Sequence, residues 1–212
     1  LPLRFLGWSP SRKNPRLCGW CCERLPLGGA EVDIAVLFAD VRNYTALVEQ
    51  LPAPEAAALV NRFYQVATHA LIDHDALIDK LLGDSVMALF IPGIAGPRYR
   101  EMAVRAGEAL LRGIGYGTPD GPLLPLGVGI HAGPAFVGNV GAEGVVDFTA
   151  IGDTVNVASR IQAQAAAGTI LMSEAVYAAV ADRYGEVATR TLTLKGKQEP
   201  VVVRELRPTG PT

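Results

Sequence analysis

Two aspartates stand where an apolar run meets a tight polar turn. Asp40 ends Ile34-Ala-Val-Leu-Phe-Ala39 and opens Val41-Arg-Asn-Tyr-Thr45, and Asp84 follows 44 residues later in Lys80-Leu-Leu-Gly-Asp-Ser-Val-Met-Ala-Leu-Phe90. An isolated carboxylate is costly to bury, so at a buried strand end it must be hydrated, paired or bound to a cation. Taken singly, each aspartate is better read as a turn residue or a helix cap. Two such carboxylates at strand ends suggest a divalent-metal site.

The turn after Asp40 leads towards a helix. The first backbone N–H groups of a helix have no internal partners and can cradle phosphate oxygens, so Arg42, Asn43, Tyr44 and Thr45 are candidates for phosphate binding. Two carboxylates beside such a cluster suit a site in which one cation activates an attacking oxygen and another neutralises phosphates, a logic that polymerases share. A third motif is Ile151-Gly-Asp-Thr-Val-Asn-Val-Ala-Ser-Arg160. Asn156 and Arg160 are four apart and share one helix face. A planar, permanently charged guanidinium suits a developing phosphoryl charge, and an amide can orient a ribose. On spacing alone, a solvent-facing Asn and a surface Arg fit equally well.

These residues need a frame, and the chain has enough apolar sequence to build one: 212 residues, half of them hydrophobic, predict a globular protein. A net charge of −2, with no basic stripe interleaved with aromatics, argues against a nucleic-acid partner. No apolar run approaches the roughly 18 residues of a membrane span and no signal-peptide pattern opens the chain, so a cytoplasmic location without membrane contact is expected. Cys18, Cys21 and Cys22 form an odd cluster that makes a poor disulfide framework. Ordinary thiols are expected there, with a zinc site shared between two subunits as the sharper alternative.

Residues 1–30 read as an extension, with Arg4, Arg12, Lys13, Arg16 and Arg24 against Glu23 alone. A solvated charge run is the ordinary reading, and contact with a partner or with an acidic surface of the same domain is the other. Residues 31–206 form the main domain and 207–212 a tail. Within the domain, Val32–Phe38 reads as a buried central strand, and Pro54 starts a helix over Glu55–Ile72 whose Leu59, Phe63, Val66 and Ala67 make an apolar face. Ala76–Ile78 and Val86–Phe90 read as a hairpin with Gly83-Asp84 at its tip. A helix over 98–112, a strand over 126–131, a glycine-punctuated hairpin and a helix over 154–164 capped by Asp153 follow. The tail of the domain alternates a strand at 170–171, a helix over 173–181 and strands near 188–194 and 201–206. The fold class is α+β, with a ferredoxin-like βαββαβ core and additional C-terminal strands and helix. His131 and Met87 read as interior strand residues.

Four segments, Phe38-Ala-Asp-Val-Arg-Asn-Tyr-Thr45, Lys80-Leu-Leu-Gly-Asp-Ser-Val-Met-Ala88, Gly129-Ile-His-Ala-Gly-Pro-Ala-Phe-Val-Gly138 and Ile151-Gly-Asp-Thr-Val-Asn-Val-Ala-Ser-Arg160, resemble class III nucleotide cyclase catalytic domains in order and spacing. Lys195-Gly-Lys197 fits as well. The resemblance covers about Glu31 to Leu206. It implies that Asp40 and Asp84 hold two Mg²⁺ or Mn²⁺ ions, with the Val41 carbonyl assisting one. It further implies that Asn156 orients the ribose, Arg160 stabilises the transition state and Lys195 meets the triphosphate. The metal half and the Asn/Arg half of one site would come from different subunits, so a homodimer would carry two equivalent sites.

The resemblance places base choice at Lys80 and Thr149. An ammonium at Lys80 can donate to adenine N1, whereas guanine N1 carries a hydrogen, so ATP is the expected substrate and cyclic AMP the product. Thr149 stands where many adenylyl cyclases have Asp; a threonine there resembles a bacterial subgroup that includes bicarbonate-responsive members, and its hydroxyl can accept or donate. Bicarbonate is therefore an expected activator. Asn43 replaces the family's usual glycine, a position Asn can occupy because it tolerates left-handed backbone. A guanylyl cyclase and a catalytically silent nucleotide-binding or dimerisation module are the alternatives.

Overall fold

In the computed structural model, which describes residues 9–19, 26–142, 145–194, 196 and 199–208, the central strand is β1 (Gly28–Val41). It runs well beyond the expected Val32–Phe38. The extension comes from β4 (Leu126–Ala142), which pairs with it antiparallel from Gly28↔Asn139 to Val41↔Leu126. On its other edge β1 pairs antiparallel with β3 (Ser85–Phe90), and β2 (Leu77–Leu82) closes that side through a hairpin.

Beyond β4 lie β6 (Ile170–Ser173), the one parallel pairing among the described residues, then β8 (Val201–Leu206) and β7 (Ala188–Leu192). β5 (Val145–Ile151) folds back on the far end of β4. The result is an eight-stranded sheet in the order β2-β3-β1-β4-β6-β8-β7, with β5 off that path. It is the expected α+β architecture with its βαββαβ core and C-terminal additions.

Alternation along β1 divides the core. Ala35, Leu37, Ala39 and Val41 face α2 (Ala53–Ile72) and α4 (Tyr99–Ile114), packing with Phe63, Ala67, Leu71, Ala106 and Leu110. Ile34 and Val36 point the other way, into a second cluster with Met87, Leu89 and Ala158 of α5 (Asp153–Ala163). Phe38 and Asp40 follow the same parity, so Asp40 emerges at the end of the α5-covered face. The close packing of α5 on the sheet depends on Gly129, where a β-carbon would overlap the backbone of Gln162.

Four local details differ from the sequence expectations. The α5 cap residue is Gly152, with Asp153 already inside the helix and no side-chain cap bond. The expected helix over 173–181 is two short ones, α6 (Glu174–Tyr177) and α7 (Ala181–Tyr184), separated by Val180 at φ −131. His131 is only partly buried, whereas Met87 is interior.

The fourth difference concerns the basic N-terminal run, which is docked against the domain. Ile78 N–H donates to the Lys13 carbonyl, the buried Asn14 side chain donates to the Ala76 carbonyl, and Arg16 pairs with Asp73 at 2.6 Å. Two short helices, α1 (Tyr44–Val48) and α3 (Pro92–Ala95), complete the list of described elements. Among the described residues no helix is long and apolar enough to cross a membrane.

Candidate functional site

The hairpin between β2 and β3 turns through Gly83 and Asp84, since Leu82 and Ser85 are already paired. Gly83 takes φ 59, a left-handed conformation that glycine adopts without strain. Ser85 is the β-partner of Asp40, so the two aspartates sit at adjacent strand ends, one residue out of register. The backbone reinforces this: Val41 N–H donates to the Asp84 carbonyl at 3.0 Å.

Asp40 is half-buried, and burial pushes its carboxyl pKa up from 3.8. Arg42, whose Nη2 donates to Asp40 Oδ1 at 2.9 Å, pulls it down, and the neighbouring Asp84 pushes it up. Two mutually repelling carboxylates with hard oxygen donors fit a divalent cation of the Mg²⁺ or Mn²⁺ kind. No group of three or more His, Cys, Asp or Glu forms a metal cluster among the described residues. A cation held there would need further ligands from elsewhere, such as backbone carbonyls, water or phosphates.

The turn after Asp40 differs in part from a free phosphate cradle. Arg42 N–H is committed to the Pro125 carbonyl at 2.6 Å, and Arg42 Nη1 reaches the Ala163 carbonyl at the end of α5. The N–H groups of Asn43, Tyr44 and Thr45 make no backbone hydrogen bond among the described residues. Asn43 takes φ 56, ψ 32, the left-handed geometry expected for its place in the turn. The helix it introduces is only five residues long, so it offers little macrodipole.

Asn156 and Arg160 lie on α5, where Val157, Ala158, Ile161 and Gln162 face inward. Asn156 is exposed and Arg160 partly so. Arg160 sits beside the turn at Gly196, whose β-carbon position is 3.6 Å from Nη2. The flanking Lys195 lies outside the described residues, as do Cys21 and Cys22. No hydrogen bond or ion pair among the described residues joins Asp40 or Asp84 to Asn156 or Arg160.

Lys80 and Thr149 do come together, through residues not anticipated from the sequence. Asp79, whose side chain is 0% exposed, accepts a hydrogen bond from Thr149 Oγ1 at 2.9 Å. Lys80 Nζ lies 2.6 Å from Asp147 and 3.3 Å from Asp79. Lys13 closes the group, 3.1 Å from Asp79 and 2.8 Å from Asp147. Burial works against the Lys80 ammonium, but Asp147 and Asp79 outweigh it and hold its pKa above the usual 10.5. Burial likewise opposes ionised Asp147, and the two lysines overcome it to keep that pKa below 3.8. The one sequence signal was a charged pair, Asp79-Lys80, directly after the apolar run Ala76-Leu-Ile78.

Comparison with known proteins identifies the family and the fold. A family model described as the adenylate and guanylate cyclase catalytic domain matches residues 30–203. The crystal structure of the adenylyl cyclase CyaB from P. aeruginosa superposes with TM-score 0.73 at 30% identity, covering 85% of this chain and 96% of that one. The guanylyl cyclase Cya2 gives 0.76 at 28% identity, covering 84% and 93%. An uncharacterised protein of Mycobacterium tuberculosis is 31% identical over 182 residues, 84% of this chain and 34% of that protein. The terminal-differentiation-specific adenylate cyclase of Dictyostelium discoideum is 30% identical over 193 residues, but the match spans only 9% of its length.

Proposed function

Because the chain belongs to the class III adenylate and guanylate cyclase catalytic-domain family, we propose that it converts ATP to 3′,5′-cyclic AMP and pyrophosphate at sites shared between two copies. The observation that carries this reading is the separation of two side-chain groups. Asp40 and Asp84 share one pair of strand ends, while Asn156 and Arg160 lie on α5, Arg160 beside Gly196, with no hydrogen bond or ion pair to the aspartates among the described residues. A two-fold axis would bring one copy's carboxylates to the other's helix.

Asp40, Asp84 and the Val41 carbonyl would hold the divalent ions. Bound there, two Mg²⁺ or Mn²⁺ ions would supply Lewis acidity to the ribose 3′ oxygen and charge neutralisation to the phosphates. The N–H groups of Asn43, Tyr44 and Thr45, with the Arg42 side chain nearby, would bind triphosphate oxygens, and Lys195 would meet them from the partner. Asn156 would orient the ribose for in-line attack on the α-phosphorus. Arg160 would stabilise the negative charge that grows there as pyrophosphate departs, a fixed donor being most effective where charge develops. Lys80 and Thr149 would read the adenine edge.

Mixing provides the test. Asp40→Ala and Arg160→Ala should each be inactive alone, and their mixed dimer should recover up to about half of the parent dimer's activity, because one of its two sites is then intact. Well-formed mixed dimers without recovery would refute the shared site. Similarity to Cya2 and the absence of Asp at position 149 favour guanylyl cyclase as the second reading, which side-by-side turnover of ATP and GTP decides. Bicarbonate stimulation follows from the resemblance at Thr149, and a flat dose response at constant pH would remove it.

A further inference from the structure

Asp79 is the hub of a closed ring of alternating charge. Its Oδ1 accepts from Lys13 Nζ at 3.1 Å, Lys13 reaches Asp147 Oδ1 at 2.8 Å, Asp147 Oδ2 holds Lys80 Nζ at 2.6 Å, and Lys80 returns to Asp79 Oδ2 at 3.3 Å. Lys13 also donates to the Asp79 main-chain carbonyl at 2.9 Å, fixing the ring to the backbone. The Thr149 hydroxyl hangs from this ring, donating to Asp79 Oδ2 at 2.9 Å.

A carboxylate facing two ammonium groups has acceptor sites only. The single hydroxyl hydrogen of Thr149 is therefore directed into Asp79, and what the hydroxyl presents to any other group is lone pairs. From this geometry we infer that Asp79 is a specificity-positioning residue: it locks Thr149 as an acceptor, fit for the exocyclic amine of adenine and mismatched to the carbonyl oxygen of guanine. The inference rests on the reading of Lys80 and Thr149 as the base-facing pair, and it resolves the two-way chemistry of a threonine hydroxyl at that position. Lys13, from the N-terminal segment, supports the lock by occupying the other oxygen of Asp79.

Replacing Asp79 by Ala removes the lock. The Thr149 hydroxyl loses its acceptor and becomes free to donate outward. The readout is the ratio of kcat/KM for ATP to that for GTP, measured with Mn²⁺ on the full chain. The wild type should favour ATP, and D79A should lower the ratio about tenfold or more, since a site built around one hydrogen-bonding sense discriminates strongly against the opposite sense. A parallel loss for both nucleotides with the ratio unchanged would mean that Asp79 only supports the fold, and would overturn the inference alone. A wild type that favours GTP would overturn the base assignment, and this inference with it. Should D79A fail to fold because the Lys13 ammonium has lost one of its two carboxylate partners, K13M/D79A removes that ammonium and carries the same measurement with the same two outcomes.

Discussion

Val41 donates its N–H to the carbonyl oxygen of Asp84 across 3.0 Å, so the two strand ends bearing Asp40 and Asp84 are tied through the backbone and not through their carboxylates. Removing the Asp84 side chain should therefore leave the hairpin intact. Asp84→Ala is expected to change unfolding free energy by no more than about 0.5 kcal/mol, as for ordinary surface substitutions. Turnover should fall at least about 100-fold, beyond the cost of losing a group that merely supports a metal ligand. Mn²⁺ titration by calorimetry together with urea unfolding checks both halves, and near-normal Mn²⁺ affinity would count against a ligand role.

The turn after Asp40 stores a measurable preference. Asn43 sits at φ 56 with no side-chain cap bond, and a left-handed non-glycine residue costs about 1–2 kcal/mol, less for Asn. Asn43→Ala should destabilise by about 1 kcal/mol, while Asn43→Gly should be neutral or stabilising. Equal urea midpoints for the two variants would show that the turn does not need this geometry.

Much of this arrangement could be read from the chain because its signals were local. The Gly83-Asp84 tip follows from glycine in a two-residue turn, and the α5 face follows from the spacing of Asn156 and Arg160. What was not legible depends on distant partners. Lys13 and Asp79 are 66 residues apart, and nothing within Arg12-Lys-Asn14 says that a buried carboxylate waits for it. Asp79, just past the expected Ala76–Ile78 strand, carries no local signal, because a buried charge is recognisable only once its neutralising partners are in place. The Asp153 cap failed for a subtler reason: Gly152 at φ 149 already supplies the non-helical entry, one residue earlier.

Phe136 and Ile151 are direct cross-strand neighbours on β4 and β5, and both are exposed, at 37% and 51%. Val145 and Val146 extend the apolar surface of the same hairpin, at 80% and 40%. Exposed apolar surface of this kind marks a contact face, here expected to be that of the second copy. Ile151→Lys should weaken association at least about tenfold, since burying an unpaired charge costs more than the roughly 1.4 kcal/mol that a factor of ten requires. Sedimentation should show a shift towards monomer, and specific activity should fall on dilution at concentrations where the parent chain still holds its activity. An unchanged sedimentation profile would place the interface elsewhere.

The Tyr184 phenol should contribute to alkaline stability. Tyr184 donates to Glu108 Oε2 at 2.7 Å, bridging α7 to α4. Burial, reinforced by the Glu108 carboxylate and opposed by Arg183, pushes the Tyr184 pKa from 10.0 up to about 12. The folded chain thus holds this proton more tightly than the unfolded chain does. Its contribution is fully present below pH 10 and is lost as pH rises through about 12. Tyr184→Phe removes the group, so the stability gap between parent and variant should be constant from pH 7 to about 9.5 and should narrow steadily above pH 10. Tyr99, also raised to about 12 by burial and its bond to Asp33, is present in both proteins and cancels in the comparison. Urea midpoints measured at pH 8, 10 and 11.5 check the slope, and a gap that stays constant to pH 11.5 would show that the Tyr184 to Glu108 bond does not couple protonation to folding.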